Sequence, residues 1–253
     1  MPDEPAGAAG WWGRPLAEAR WQLELMRLLV DPVWRGEGVP TGDRRPVLLL
    51  PGFLAGDYTL TVLAGWLRRI GYRPATCGFV LNVDCSDRAL DLVESTVARL
   101  HGHHGQRVAL IGHSRGGHFA RALARRRPGQ VSHAISMGAD LQHMLDISVP
   151  TRLAVGGARR AVATLGRARA ERCLTMDCTC PFTQDYAASF PSDQVRLTSI
   201  YTKADGVVRW KRCLVPYADC VEVTGSHTGL VYNRAAYAAI AAALVVPELG
   251  GLP

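Results

Sequence analysis

Lysine is almost missing from this sequence. Of 29 basic residues only Lys203 and Lys211 are lysines, so arginine carries the formal charge of +7. The arginines are spread through Arg152 to Arg172 and along Arg121, Arg125, Arg126 and Arg127. They have neither the interleaved aromatics nor the motif of a nucleic-acid-binding protein, so no nucleic-acid partner is expected. They read as a solvated surface, with an anionic substrate or an acidic carrier protein as the alternative partner. A long apolar run is also missing. The longest, around Tyr237 to Val246, is too short to span a bilayer. The start, Met1-Pro2-Asp3-Glu4, is acidic and has no apolar run behind it, so it does not read as a secretory signal and a cytoplasmic location is expected. A complete metal-ligand set is the third absence. Cys173, Cys178 and Cys180 cluster, but no nearby Cys or His completes four ligands, and the seven cysteines read as free thiols in a reducing compartment. His101, His103 and His104 sit among glycines and read as solvated loop residues.

The chain has the composition of an ordinary globular protein, 48% hydrophobic and 20% charged, and its 253 residues suit one domain with a substantial core. Residues 1–45 form an N-terminal arm and a helix. That helix starts at Pro15, with Leu16, Ala19, Leu23, Met26 and Val30 at helical spacing, and Asp31-Pro32 ends it. From 46 to 253 short apolar runs alternate with helical patterns. Strands are expected over Val47 to Leu50, Arg73 to Leu81, Arg107 to Ile111, Val131 to Met137, Val195 to Tyr201 and Cys220 to Val223. Helices follow Leu60–Ile70, Leu90–Leu100, Arg115–Arg127 and the Ala-rich segment capped by Asn233. This order implies βαβ units and a mostly parallel sheet with helices on both faces, an α/β class. The segment of about 140–191 exceeds one crossover, so it is an insertion. It leaves the sheet at the edge where the candidate chemistry lies, and is expected to form a lid. Met144, Leu145 and Ile147 could line an acyl chain or pack the lid down.

Gly112-His113-Ser114-Arg115-Gly116 stands between the strand Arg107–Ile111 and the helix Gly117–Leu123. A serine hydroxyl is a weak nucleophile and must be held where a base reaches it, which a strand–turn–helix elbow achieves. Glycines two before and two after avoid collision with the neighbouring strand and helix. Leu50-Pro51-Gly52-Phe53 ends an earlier strand, and an oxyanion needs two N–H donors aimed at one point. Phe53 and Arg115, the residue after the serine, are placed to supply them. The acid and base should follow in that order. Asp205 lies four residues past a strand, and His227 sits in a Gly-flanked loop after the last strand, both at the edge where ligands bind parallel sheets. Asp140 is a rival acid, and Asp84 and Asp219 are weaker ones; His113 and His118 are poorer bases because the elbow points them elsewhere.

Together Pro51-Gly52-Phe53, Gly112-His-Ser114-Arg-Gly116-Gly117, Asp205-Gly-Val-Val and Gly225-Ser-His227-Thr-Gly-Leu resemble bacterial α/β-hydrolases similar to triacylglycerol lipases, over residues 45 to 245. The resemblance implies an α/β-hydrolase fold and carboxylic-ester hydrolysis without metal or organic cofactor. Ser114 would be nucleophile, Asp205 acid, His227 base, and Phe53 and Arg115 oxyanion donors. Gly138-Ala-Asp140 departs from the Gly-Ser/Thr-Pro common in such enzymes and keeps Asp140 in play. The expected substrate is a small acyl ester or thioester. A thioesterase or acyltransferase, its Arg-rich lid docking an acidic carrier, would use the same triad. A catalytically silent binding protein on this fold is the alternative of a different class. Oligomeric state and acyl chain length are not encoded in these motifs.

Overall fold

The structure is a computed structural model that describes residues 11–13, 15–144, 146–164 and 179–249. Its strands are β1 (Pro46–Leu50), β2 (Arg73–Thr76), β3 (Val108–His113), β4 (Val131–Met137), β5 (Arg196–Tyr201) and β6 (Asp219–Glu222). Among the described residues they form one six-stranded sheet in the order β2-β1-β3-β4-β5-β6, and every pairing is parallel. Parallel pairing requires crossovers, and the crossover helices cover both faces. Side chains alternate accordingly. Val47, Leu49, Ile111, Ile135 and Ile200 join one core with Leu63 and Trp66 of α4 (Thr61–Arg69) and Tyr237 and Ile240 of α9 (Arg234–Val245). Leu48, Leu50, Leu110 and Leu197 join the other with Val93 of α5 (Ser86–His104) and Phe119 of α6 (Arg115–Arg126). No helix among the described residues is long and apolar enough to cross a membrane.

Three elements differ from the sequence expectations. The second strand stops at Thr76 instead of reaching Leu81. Helix α5 continues through His101, His103 and His104 to a left-handed Gly105, so those histidines form a helix end and not a loop. Cys173 and Cys178 lie outside the described residues, while Cys180 stands at the start of a helix. The N-terminal helix is broken into α1 (Pro15–Glu18) and α2 (Trp21–Val30), with α3 (Pro32–Arg35) following. The apolar residues at helical spacing point outward: Leu16, Leu23, Met26 and Val30 are 59 to 90% exposed, while Glu24 and Leu28 are buried. Apolar periodicity lost here to hydrogen bonding, because Glu18 and Glu24 find backbone N–H donors on the body of the protein. Charge-assisted bonds of this kind are roughly twice as strong as neutral ones.

The insertion divides into two parts around residues 165–178, which lie outside the described set. The first part borders the loop after β5. Ile147 bridges Val208, Ser148 N–H donates to Val207 O at 2.8 Å, and α7 (Val149–Thr164) begins there. The second part, α8 (Pro181–Ala187), packs on α5 and α6. Phe182 and Tyr186 are buried, Phe182 lies edge-on to Phe119 at 5.6 Å, and Asp185 pairs with Arg126 at 2.6 Å. Helix α8 is therefore part of the helical layer. Met144 packs against that same core and Ile147 against Tyr201 and Cys213; Leu145 lies outside the described residues. Phe182→Ala should therefore cost about 3–5 kcal/mol in denaturant unfolding. A residue that lined an open cleft instead of the core would leave stability nearly unchanged when truncated.

Candidate active site

Ser114 occupies the turn from β3 into α6 at φ 51 and ψ −121, a conformation that costs a non-glycine residue about 1–3 kcal/mol. Its neighbours explain how the turn closes. A Cβ on Gly112 would stand 2.2 Å from the Gly116 carbonyl, and one on Gly116 would stand 2.1 Å from Leu50 O. Both contacts are with backbone, so neither can relax cheaply. The Ser114 N–H donates to Met137 O at 2.8 Å, which ties the turn to the end of β4. The positive end of the twelve-residue helix α6 lies directly behind the serine.

The loop Pro51 to Ala55 runs beside this turn. A Cβ on Gly52 would lie 3.3 Å from Ser114 Cβ. The N–H groups of Leu54 and Ala55 donate to Asn82 O and Gly52 O, both at 3.3 Å, while the Phe53 N–H has no protein partner among the described residues. Asn82 is buried and its amide donates to Pro51 O at 2.9 Å. The Arg115 guanidinium in turn donates to Asn82 O at 3.1 Å, Asn82 Oδ1 at 2.9 Å and Asp84 O at 2.6 Å. One expected oxyanion donor thus uses its side chain to fix the loop that carries the other. Sequence reasoning missed Asn82, whose partners in the Pro51–Ala55 loop are backbone groups and which belongs to no motif.

The structure brings Asp205 and His227 together. The His227 Nδ1–Asp205 Oδ2 distance is 2.7 Å, and both side chains are buried. The other Asp205 oxygen accepts from the N–H groups of Val207 at 2.8 Å and Val208 at 2.7 Å. Those bonds fix the carboxylate, and the carboxylate fixes the ring. Burial works against a charged His227, but the Asp205 charge and hydrogen bond, with the nearby charge of Glu18, outweigh it and raise its pKa above the ordinary value. The ring lies over Gly138, where a Cβ would be 3.0 Å from Nδ1 and 3.3 Å from Asp205 Oδ2; Gly138 also has φ 63. Gly138 directly follows Met137, the residue that holds the Ser114 N–H. The described hydrogen bonds join Asp205 to His227 but not His227 to Ser114. Bonds of that second kind are often long before substrate binds.

No protein-family model and no curated protein matches the chain. Solved structures do. A lipase of Bacillus licheniformis in its mature form superposes with a TM-score of 0.57 at 13% identity, over 83% of this chain and 95% of that one. The monoacylglycerol lipase of Paleococcus ferrophilus gives 0.52 at 14% identity, over 81% and 96%. The thioesterase domain from the curacin biosynthetic pathway gives 0.50 at 18% identity, over 81% and 92%. The chain has the α/β-hydrolase fold.

In this α/β-hydrolase fold the rival residues have other tasks. Asp140 is fully buried, and its carboxylate accepts the N–H groups of Gln142 at 3.0 Å, His143 at 2.8 Å and Asp146 at 2.9 Å. It closes its own turn and does not bond His227. Asp84 accepts from Cys85 N–H and pairs with Arg88, and Asp219 starts β6 at the opposite sheet edge. His113 is half-buried, and desolvation followed by repulsion from His227 pulls its pKa down to about 3. Neutral His113 therefore donates from Nε2 to His227 O at 2.9 Å, supporting the His227 backbone from behind. His118 is likewise drawn to about 3 by burial, followed by repulsion from Arg115 and Arg121, and stacks edge-on to Tyr186. Asp205→Asn should lower the titration midpoint of the His227 imidazole, followed by NMR of labelled histidine, and Asp140→Asn should leave it in place. A fall in the Asp140 variant alone would exchange the two roles.

Proposed function

We propose that the protein is a serine ester hydrolase acting through an acyl-enzyme on Ser114. The observation that carries this reading is the buried Asp205–His227 pair at 2.7 Å beside a serine held at positive φ on a strand–helix elbow. The neutral imidazole of His227 takes the Ser114 hydroxyl proton on Nε2 as Oγ forms a bond to the ester carbonyl carbon. Asp205 accepts from Nδ1 and stabilises the imidazolium. The carbonyl oxygen becomes an oxyanion held by the N–H groups of Phe53 and Arg115. The intermediate collapses as the ester C–O bond breaks, and His227 returns its proton to the leaving alcohol. Water, deprotonated by His227, then attacks the acyl carbon, and His227 returns that proton to Ser114 Oγ as the acyl–Oγ bond breaks and the acid leaves. No step calls on a metal or an organic cofactor.

The substrate of this reading is a small acyl ester or thioester. In this reading α7 is the lid, supported by Ile147 and Ser148, just before it, which meet Val208 and Val207, the residues whose N–H groups hold Asp205. A fluorophosphonate should label Ser114 and no other serine. Ser114→Ala should abolish labelling and lower kcat on p-nitrophenyl esters by three orders of magnitude or more, because triad members act as a unit. Labelling that survives in Ser114→Ala would overturn the assignment.

A further inference from the structure

The N-terminal segment, outside the resemblance to known hydrolases, lies across the loops that carry Asp205 and His227. Trp11 O accepts the Val149 N–H at 2.8 Å. Gly13, at φ 64, packs so closely on the Asp205 loop that a Cβ would stand 2.0 Å from Gly206 O. One carboxylate then spans the two loops. Glu18 Oε1 accepts from Gly206 N–H at 3.0 Å and His227 N–H at 3.2 Å, and Oε2 accepts from Thr228 N–H at 2.7 Å. Those donors are the residue after Asp205, His227 itself and the residue after it.

A second carboxylate repeats the contact one turn and a half further on. Glu24 is buried, and its Oε1 accepts from Ser226 N–H at 2.8 Å. The glycines flanking His227 make room for it. A Cβ on Gly229 would fall 1.4 Å from Glu24 Oε2, and one on Gly225, at φ 140, would fall 3.2 Å away. Trp21 packs on Tyr232 at 5.5 Å and closes the seat of α2 on this loop. We propose that Glu18 is a positioning residue of the active site: by bridging the Asp205 and His227 loops it sets the distance and charge at the base. This rests on the hydrolase reading for its effect on rate, but not for its effect on His227.

The groups facing His227 from the surrounding elements are Asp205 on the loop after β5, His113 at the end of β3, Glu18 on α1 and Glu24 on α2. Of these, Asp205 and Glu18 favour the protonated ring. Glu18→Gln keeps the size and one acceptor oxygen but removes the charge and the second acceptor. In the full chain this variant should lower the NMR titration midpoint of His227. It should also reduce kcat by about ten- to a hundredfold while KM stays within about twofold, since misplacement by roughly 1 Å has such an effect. An unmoved midpoint would overturn the proposal whatever the rate, because a merely structural anchor would not alter it. Failure of the hydrolase reading shows separately, as absence of fluorophosphonate labelling on Ser114. Amide exchange in the unmodified protein adds a check that needs no variant. The N–H groups of Gly206, His227 and Thr228 should be protected and open together. Independent opening of the three would contradict a shared bridge.

Discussion

The turn between β3 and α6 can exist only where two backbones almost touch. Gly116 lies against Leu50 O, Gly112 lies against Gly116, and Ser114 takes a left-handed conformation so that the chain can reverse between strand and helix. The strain is local, and several anchors hold it in place. The Ser114 N–H is bound to Met137, β3 pairs with β1 and β4, and α6 is buried along its length. The sheet thus supports a strained residue at its carboxyl edge, where Gly52, Gly138 and the His227 ring all approach. A methyl group at Gly112 or Gly116 would push that arrangement apart.

Hydrogen bonds, more than apolar packing, set the loops around this edge. Val207 and Val208 fix Asp205, Asp205 fixes His227, and His113 takes the His227 carbonyl from beneath. On the other side Arg115 grips Asn82, which grips Pro51 and so sets the Phe53 N–H. Each of these partners is a backbone group or a buried polar side chain, where an unpaired atom would cost about 1–3 kcal/mol. That penalty makes the loops hold one geometry. The two N-terminal carboxylates, Glu18 and Glu24, complete the set from outside the sheet.

Much of this was legible in the sequence. The apolar runs marked the strands, with ends off by a few residues, because β1, β3 and β4 are buried along almost their whole length, while β2 and β6 at the sheet margins are polar and more exposed. Ser114, Asp205 and His227 stood out because each follows a strand and because glycines mark where backbones crowd. Three things were not legible. The outward turn of Leu23 and Met26 was hidden because helical periodicity cannot register a carboxylate drawn to loops some two hundred residues away. The split of the insertion was hidden because Phe182 and Tyr186 of α8 look like any apolar lid residues until Phe119 is seen beside them. Asn82 was hidden because its partners in the Pro51–Ala55 loop are backbone carbonyl and N–H groups, which every residue has, and its contact with the Arg115 side chain spans 33 residues.

An acyl-enzyme is the centre of the account, and nucleophile partitioning reads it most directly. Esters of one acid with different leaving alcohols would be hydrolysed in the presence of methanol, and the ratio of methyl ester to free acid measured. A common acyl-serine on Ser114 predicts one ratio for every leaving group, because methanol and water meet the same intermediate. A ratio that changes with the leaving alcohol would mean that water or methanol attacks the bound ester directly, and would contradict the account.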